Sequence, residues 1–383
     1  MQYRKFGKLD WQVSALGFGA MRLPQIDKDP ANVDEAESIR MVRYAIDHGV
    51  NYVDTAYPYH AGKSETVIGN ALRDGYRGKV KVATKLPSWS IHSHEDCDRY
   101  LNKQMERLQL DKVDFYLLHG LNKAFWPRLR DLNVFRWAER AMADGRIGHL
   151  GFSFHDDFEV FKEIIDAYDN WTLCQIQYNY MDVDYQAGTR GLHYAASKGL
   201  AVVVMEPLRG GCLAQKMPES LNKLWASAPQ KRSPAQWGLL WVWNHPQVTL
   251  ALSGMTRMEQ VEENVAIANS AMPDSLTSEE LTLIDRVREA FRGLAPIPCT
   301  GCGYCMPCEN GVQIPRIFEL YNQAIMYGDV MTSQFFYCGS GGLKKEEQAN
   351  QCTECGDCLE ACPQHIDIPE WLKKAHALLG PKK

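Results

Sequence analysis

Residues 50–85 read VNYVDTAYPYHAGKSETVIGNALRDGYRGKVKVATK. The first run, 50–56, is short, rich in β-branched and aromatic residues and flanked by turn formers, which is the composition of a buried strand. The segment 63–75 has apolar residues at helical spacing and stops at Gly75, where a left-handed cap would sit. VKVAT, 80–84, is again strand-like. A strand, a helix and a strand in this order make a crossover unit, which joins parallel strands.

Working outward, the unit recurs. Strand candidates fall at 13–19, 50–56, 80–84, 113–119, 147–153, 172–178, 200–206 and 248–254, with helical, polar-starting segments between them. Eight strand–helix pairs over about 280 residues predict a (β/α)8 TIM barrel of class α/β. The other architecture this order allows, a doubly wound open sheet, lacks a GxGxxG turn after the first run.

Composition limits the partners. The chain has 383 residues, 45% hydrophobic and 23% charged, and no apolar run long enough for a membrane span. Forty-two Lys and Arg against 47 Asp and Glu give a net charge of -5 with no basic stripe, so neither nucleic acid nor membrane is an expected partner. The N-terminal MQYRKFGKLDWQVS has no secretory signature, and a cytoplasmic location is expected.

Past the helical segment 276–291, Gly293, Pro296 and Pro298 mark a linker, giving expected domains 1–292 and 293–383. The second is an internal duplication. Cys299, Cys302, Cys305 and Cys308 lead into Glu-Asn-Gly-Val-Gln-Ile-Pro, and Cys352, Cys355, Cys358 and Cys362 into Pro-Gln-His-Ile-Asp-Ile-Pro. With a helical segment between the copies, a small helical domain of two half-repeats is expected. The remaining Cys97, Cys174, Cys212 and Cys338 are scattered and read as small buried hydrophobes.

CxxCxxCxxxCP is a signature of [4Fe-4S] ligation in which the fourth cysteine serves the other cluster. Two clusters follow, one on Cys299, Cys302, Cys305 and Cys362, the other on Cys352, Cys355, Cys358 and Cys308. The first copy has two residues rather than three before Cys308, and Glu309 in place of proline. Structural zinc is the alternative for eight thiols, although zinc motifs usually separate two CxxC pairs by a dozen or more residues.

In a barrel, chemistry sits at the carboxyl ends of the strands. The second, third and fourth runs end in Asp54, Lys85 and His119, and Tyr59 follows Asp54 in the next loop. A phenol is a poor acid near neutrality unless its anion is stabilised. Lys85 can do that if Asp54 keeps it charged, and His119 can orient a substrate oxygen. Taken singly these residues read as core or ion-pair groups; together at successive strand ends they read as a proton-donating site. Trp89 and Trp126 follow the third and fourth runs and are read equally well as a pocket wall or as core.

Over roughly 1–290 the chain resembles the aldo/keto reductase family. The resemblance rests on DTAxxYxxGxSE with Asp54, Tyr59 and Glu65, on TK at Lys85, LLH at His119, GFS at Ser153, the EPLRGG loop from Glu206, and SGMTxxEQVEEN from Ser253 to Asn264. It implies a tetrad of Asp54, Tyr59, Lys85 and His119 beside a bound NADP or NAD. By the same resemblance Ser153 and Gln175 hold the nicotinamide carboxamide, Met205 packs on its ring, the loop at Leu208 covers the pyrophosphate, and Gly254, Gln260 and Asn264 hold the adenosine end. Phe154 stands where the family commonly has Asn, and Met205 where many members have an aromatic ring. The usual 2'-phosphate cations align with Gly254 and Gln260, leaving Arg257 as a substitute and the choice between NADPH and NADH open.

The tail resembles bacterial ferredoxin-type domains, which a subset of that family carries. The resulting expectation is an NAD(P)H-dependent enzyme reducing an aldehyde or ketone, with an iron-sulfur domain of structural, sensing or electron-transfer role, the last of which would call for a redox partner protein. The competing expectation is an electron-transfer protein whose barrel is an idle docking scaffold.

Overall fold

The computed structural model describes the whole chain except Lys28, Pro30, Gln215, Lys216, 300–302, 339–341, Pro363 and the last two residues. It divides into two compact units, Met1–Ala214 with Arg232–Leu281, and Gln215–Lys231 with Thr282–Lys383. The division falls inside helix Ser278–Arg292, ahead of the 292/293 linker boundary read from glycine and proline. Within the second unit Phe291, from the end of that helix, meets Tyr327 with ring centroids 5.7 Å apart.

The first unit opens with a hairpin, β1 (Tyr3–Lys5) and β2 (Gln12–Ser14), antiparallel to each other. Eight strands follow: β3 (Leu16–Gly19), β4 (Tyr52–Asp54), β5 (Lys81–Leu86), β6 (Val113–Leu121), β7 (Ile147–Phe154), β8 (Leu173–Gln177), β9 (Ala201–Met205) and β10 (Leu250–Gly254). They close in chain order into a barrel, β10 pairing with β3, with every neighbour parallel. Each coincides with one of the eight apolar runs. The first run differs in one respect: it splits at Ala15, its start joining the hairpin and only its end the barrel. The hairpin brings Phe6 and Val13 into one core with Tyr52, Phe115, Leu173 and Leu250. Phe6 packs on Phe115 at 4.7 Å between centroids, so apolar side chains fill this part of the core while the polar residues gather at the strand ends.

The second unit contains helices Ile314–Tyr327, Val330–Cys338, Asp357–Ala361 and Ile368–Leu379. The duplicated Ile-Pro is the first turn of a helix in both copies, where proline's missing N–H costs nothing and its fixed φ suits the helix. The aliphatic residue two positions earlier, Val312 or Ile366, is buried with that isoleucine in one core, which also holds Cys362. Of the scattered cysteines, Cys97 and Cys174 are buried, and burial pushes the Cys97 thiol up to about 12. Two depart from the expectation: Cys212 is only half-buried, and Cys338, the last residue of its helix, is exposed with its thiol directed at the Gln334 carbonyl one turn earlier.

Candidate active site and cysteine centre

Lys85 is the hub of the barrel mouth. Its ammonium donates to Asp54 Oδ1 at 2.5 Å, to the Thr55 carbonyl at 2.8 Å and to the Tyr59 hydroxyl at 3.3 Å. These partners match its three protons, and both Lys85 and Asp54 are removed from water. His119 closes the group edge-on to the Tyr59 ring, centroids 5.9 Å apart. The three residues named from strand ends and the tyrosine of the following loop therefore meet at one place.

Electrostatics assigns their charge states. Burial works against the Lys85 cation, but Asp54 and Tyr59 outweigh it and its proton is held more tightly than usual. Burial raises Asp54, opposed by the Lys85 charge and by Gln175. Tyr59 is raised too: burial is the largest effect, and Lys85 pulls the other way without overcoming it. The stabilising pull anticipated from Lys85 is present, but it is smaller than the desolvation of the phenolate. His119 is held well below the ordinary imidazole value, first by burial and then by the Lys85 charge, so it is neutral near pH 7.

The loop carrying Tyr59 is fastened from several sides. His60 and Ala61 adopt left-handed φ of 53° and 51°, and His60 Nε2 accepts from the Leu23 N–H at 3.0 Å. Ser64 donates to the Ala20 carbonyl at 2.9 Å and shares a hydrogen bond with Thr55 at 2.8 Å. Glu65, fully buried, accepts from Thr84 and Gln104, each at 2.7 Å, and from Arg107 at 3.1 Å. The motif's Ser-Glu is thus a clamp behind the site. Gln104 and Arg107, from the helix His94–Leu108, complete the clamp; nothing local in the sequence marked either side chain as turned inward.

Ser153, near the end of β7, and Gln175, in the middle of β8, are side by side in register. The Ser153 hydroxyl accepts from the Gly120 N–H at 2.8 Å, which leaves its own proton to donate. Gln175 Oε1 is buried without a hydrogen-bond partner among the described residues. One donor beside one acceptor is the complement of a primary carboxamide, so this pair fits a nicotinamide. Met205 ends β9 opposite Gln177.

Beyond it Glu206 and Arg209 take left-handed φ of 55° and 48°, an uncommon choice for non-glycine residues that tends to mark functional loops. Arg209 pairs with Asp182, which also accepts from Gln177 and Asn179. Leu208 lies so close to helix Pro234–Trp243 that a Cβ on Gly238 would come within 2.6 Å of it.

Asn264 is buried and donates to Ser253 Oγ at 3.0 Å, while Gln260 Oε1 is taken up by the N–H groups of Thr256 and Arg257 at 2.8 and 3.2 Å. Gly254, at the end of β10, faces the Arg22 side chain. Arg22 also approaches Glu206 at 3.6 Å. This cation follows the first barrel strand in GAMRLP, and the strand-end rule would have found it. Phe154 points away into the core against Phe161, centroids 5.0 Å apart. The two tryptophans separate: Trp126 is buried with its indole N–H on Glu163, whereas Trp89 is part-exposed beside His119, centroids 5.1 Å apart.

In the second unit Cys299, Cys305 and Cys362 line one cavity with Ile314, Phe318 and Ile366. Cys308, Cys352 and Cys358 pack against the same core. Cys355 is exposed, and Cys302 lies outside the described residues. Among the described residues no three His, Cys, Asp or Glu side chains close on a point suited to a single ion. Thiols spaced around an apolar cavity suit a polynuclear centre with a volume of its own.

The aldo/keto reductase family model matches residues 15–289. The chain belongs to the aldo/keto reductase family. A 4Fe-4S dicluster domain matches 298–366, so this aldo/keto reductase carries an iron-sulfur domain C-terminal to its barrel in the sequence. L-galactose dehydrogenase of Arabidopsis thaliana is 25% identical over 316 residues, 77% of this chain and 96% of the relative. Methylglyoxal reductase of Escherichia coli is 27% identical over 290 residues, 72% and 94% of the two chains. Among solved structures, an aldo-keto reductase of Bacillus halodurans in its holo form superposes with a TM-score of 0.62 at 27% identity, covering 75% of this chain and 96% of its own. One from Klebsiella pneumoniae, in complex with NADPH, gives 0.60 at 25% identity, covering 75% and 95%. No helix among the described residues is long and apolar enough to cross a membrane.

Proposed function

We propose that this aldo/keto reductase reduces an aldehyde or ketone to the alcohol with NADPH or NADH, Tyr59 supplying the proton. The observation that carries the reading is the Lys85 ammonium shared among Asp54, Thr55 and Tyr59. Held at this site, a reduced nicotinamide would supply the hydride for the carbonyl carbon. The protein handles the oxygen. Because the Tyr59 hydroxyl accepts from Lys85, its own proton is free to point at a substrate oxygen. The phenol keeps that proton in the resting site, consistent with its raised affinity, and releases it as negative charge grows on the oxygen. Asp54 keeps Lys85 charged, and neutral His119 acts as hydrogen-bond donor to the same oxygen. The carboxamide of the cofactor is assigned to Ser153 and Gln175, its ring to Met205, the pyrophosphate to the loop at Leu208 with Arg22 near, and the adenosine end to Gly254, Gln260 and Asn264.

For the tail we propose two [4Fe-4S] clusters wired across the duplication, Cys299, Cys302, Cys305 and Cys362 for one and Cys308, Cys352, Cys355 and Cys358 for the other. The cavity shared by Cys299, Cys305 and Cys362 supports this wiring, since those residues come from opposite copies. Such thiolate sites fit a reducing cytoplasm, and an external redox protein is the natural one-electron partner.

The test is turnover of a reactive aldehyde followed at the nicotinamide absorbance. Tyr59→Phe is expected to lose at least about 100-fold in kcat while binding NADPH or NADH as before, in line with removal of a general acid. Equal activity in the variant would end the role of Tyr59. Cofactor binding by the native chain with no turnover of any aldehyde would favour a barrel that only docks partners.

A further inference from the structure

The loop after β9 reads Glu206-Pro-Leu-Arg-Gly-Gly, and Glu206, Arg209, Gly210 and Gly211 all take left-handed φ, of 55°, 48°, 64° and 94°. Glycine enters that region freely, whereas glutamate and arginine persist there only where their surroundings over-determine it. The hydrogen bonds inside the loop are short-range turns. Arg209 N–H donates to the Glu206 carbonyl and Gly211 N–H to the Leu208 carbonyl, each at 3.0 Å, and Cys212 N–H to the Arg209 carbonyl at 3.1 Å. Such turns shape the loop but do not fix it to the barrel.

The fixing comes from the neighbouring loop, after β8. Asn179, fully buried, donates to the Glu206 carbonyl at 3.1 Å and to Asp182 Oδ2 at 2.8 Å, and its own oxygen accepts from the N–H groups of Met181 and Asp182, both at 3.0 Å. Gln177, the last residue of β8, donates to the same Asp182 oxygen at 2.8 Å. The other Asp182 oxygen takes the Arg209 guanidinium. Asp182 is buried, and the Arg209 side chain is only 16% exposed. A buried carboxylate that lost this cation would keep two neutral donors and no compensating charge, so Arg209 is committed where it stands.

We infer that Asp182 is a positioning residue for the cofactor, acting through Arg209 as a strut that holds residues 206–211 in the shape that receives the pyrophosphate. This rests on the assignment of that loop to the pyrophosphate under the reductase reading. An arginine in a glycine-rich loop invites a different role, direct contact with phosphate. The two roles predict opposite signs when Asp182 loses its charge. A strut without its anchor leaves the loop to be ordered on binding, and the cofactor is held less tightly. A phosphate-binding arginine restrained by Asp182 would instead be released, and the cofactor would be held more tightly.

The experiment measures Kd for NADPH and for NADH, from quenching of protein fluorescence, in the native chain, Asp182→Asn, Arg209→Gln and the double variant. Asp182→Asn is expected to weaken binding by about tenfold, the scale of ordering a few loop residues anew. Arg209→Gln is expected to match it, and the double variant to be no worse than either single one, because both remove the same strut. Arg209→Lys, which keeps the charge, is expected to recover part of the affinity. In turnover the loss should fall on KM for the cofactor and not on kcat, a split that general damage to the barrel would not produce. The inference is overturned if Asp182→Asn tightens binding or leaves it unchanged, or if the two substitutions add. Should Asp182→Asn not fold, Arg209→Gln alone decides: a strut leaves the salt dependence of Kd as in the native chain, whereas a lost phosphate contact reduces it. A native chain that binds neither nucleotide would overturn the cofactor reading itself, and this inference with it.

Discussion

Gln104 donates a hydrogen bond to the main-chain oxygen of Lys85 at 3.0 Å, and the same amide nitrogen reaches Glu65 at 2.7 Å. Two segments that carry the proton-donating group, the end of β5 and the helix after the Tyr59 loop, are thereby tied to one side chain of the helix His94–Leu108. Its carbonyl accepts from the Tyr116 hydroxyl at 2.6 Å, so no polar atom of this amide is idle. Gln104→Leu leaves a buried carboxylate and a buried phenol short of a partner each. We expect a loss of about 3 kcal/mol in stability, measured by denaturant unfolding of the native chain and the variant. Thr84→Val, which removes a different donor to Glu65, should fall short of that loss.

Asp54 sets the working range of Lys85. Burial alone would lower the ammonium's proton affinity, and the carboxylate is what reverses the sign. In Asp54→Asn the opposing attraction is gone, so the lysine should deprotonate at lower pH. In the proposed mechanism the rate of carbonyl reduction needs both Lys85 and Tyr59 protonated, and it therefore declines as pH rises. We expect the declining limb of the kcat/KM profile to begin at least about one pH unit earlier in Asp54→Asn than in the native enzyme. An unmoved limb would separate Asp54 from the charge of Lys85.

The proposed cross-copy wiring of the cysteines is tested by two double variants. Native protein purified without oxygen should hold about eight iron and eight acid-labile sulfide per chain. Cys299→Ala with Cys362→Ala removes two ligands from one cluster and should leave about four iron. Cys299→Ala with Cys308→Ala damages both clusters and should leave little. Wiring confined within each copy predicts the reverse order, so iron content decides between them.

Four histidines, His119, His149, His155 and His245, are held below the usual imidazole value, in each case chiefly by burial. The folded state thus binds fewer protons than the unfolded chain wherever the free imidazole titrates. Stability from this source is complete above that range, near pH 6.5, and is lost as the pH falls below it. Thermal unfolding should show Tm dropping between pH 7 and pH 5, with a shallower drop in His119→Gln. A slope that the substitution leaves untouched would place the acid sensitivity elsewhere.

Much of the site was legible because strand ends are where a barrel exposes side chains. Asp54, Lys85 and His119 each close an apolar run, and Tyr59 lies in the loop that follows one, so periodicity alone marked them. Arg22 obeys the same rule and is found by it in retrospect. Gln104 does not: it sits in mid-helix among Lys103, Met105 and Glu106, and nothing local distinguishes an amide turned inward from one turned to solvent. Trp89 and Trp126 make the same point. Both follow strands, and only packing sent one to the core and the other to the mouth.

By itself the sequence determined the number and order of strands, the doubled cysteine run and the residue types at the strand ends, because these are matters of short-range period and spacing. Closure of β10 onto β3, the sharing of one ammonium by Asp54, Thr55 and Tyr59, and the meeting of Cys362 with Cys299 and Cys305 were decided only in three dimensions. Each brings together groups distant along the chain, whose direction depends on how every intervening element packs. A local pattern can name the partners, but the distance between them belongs to the whole fold.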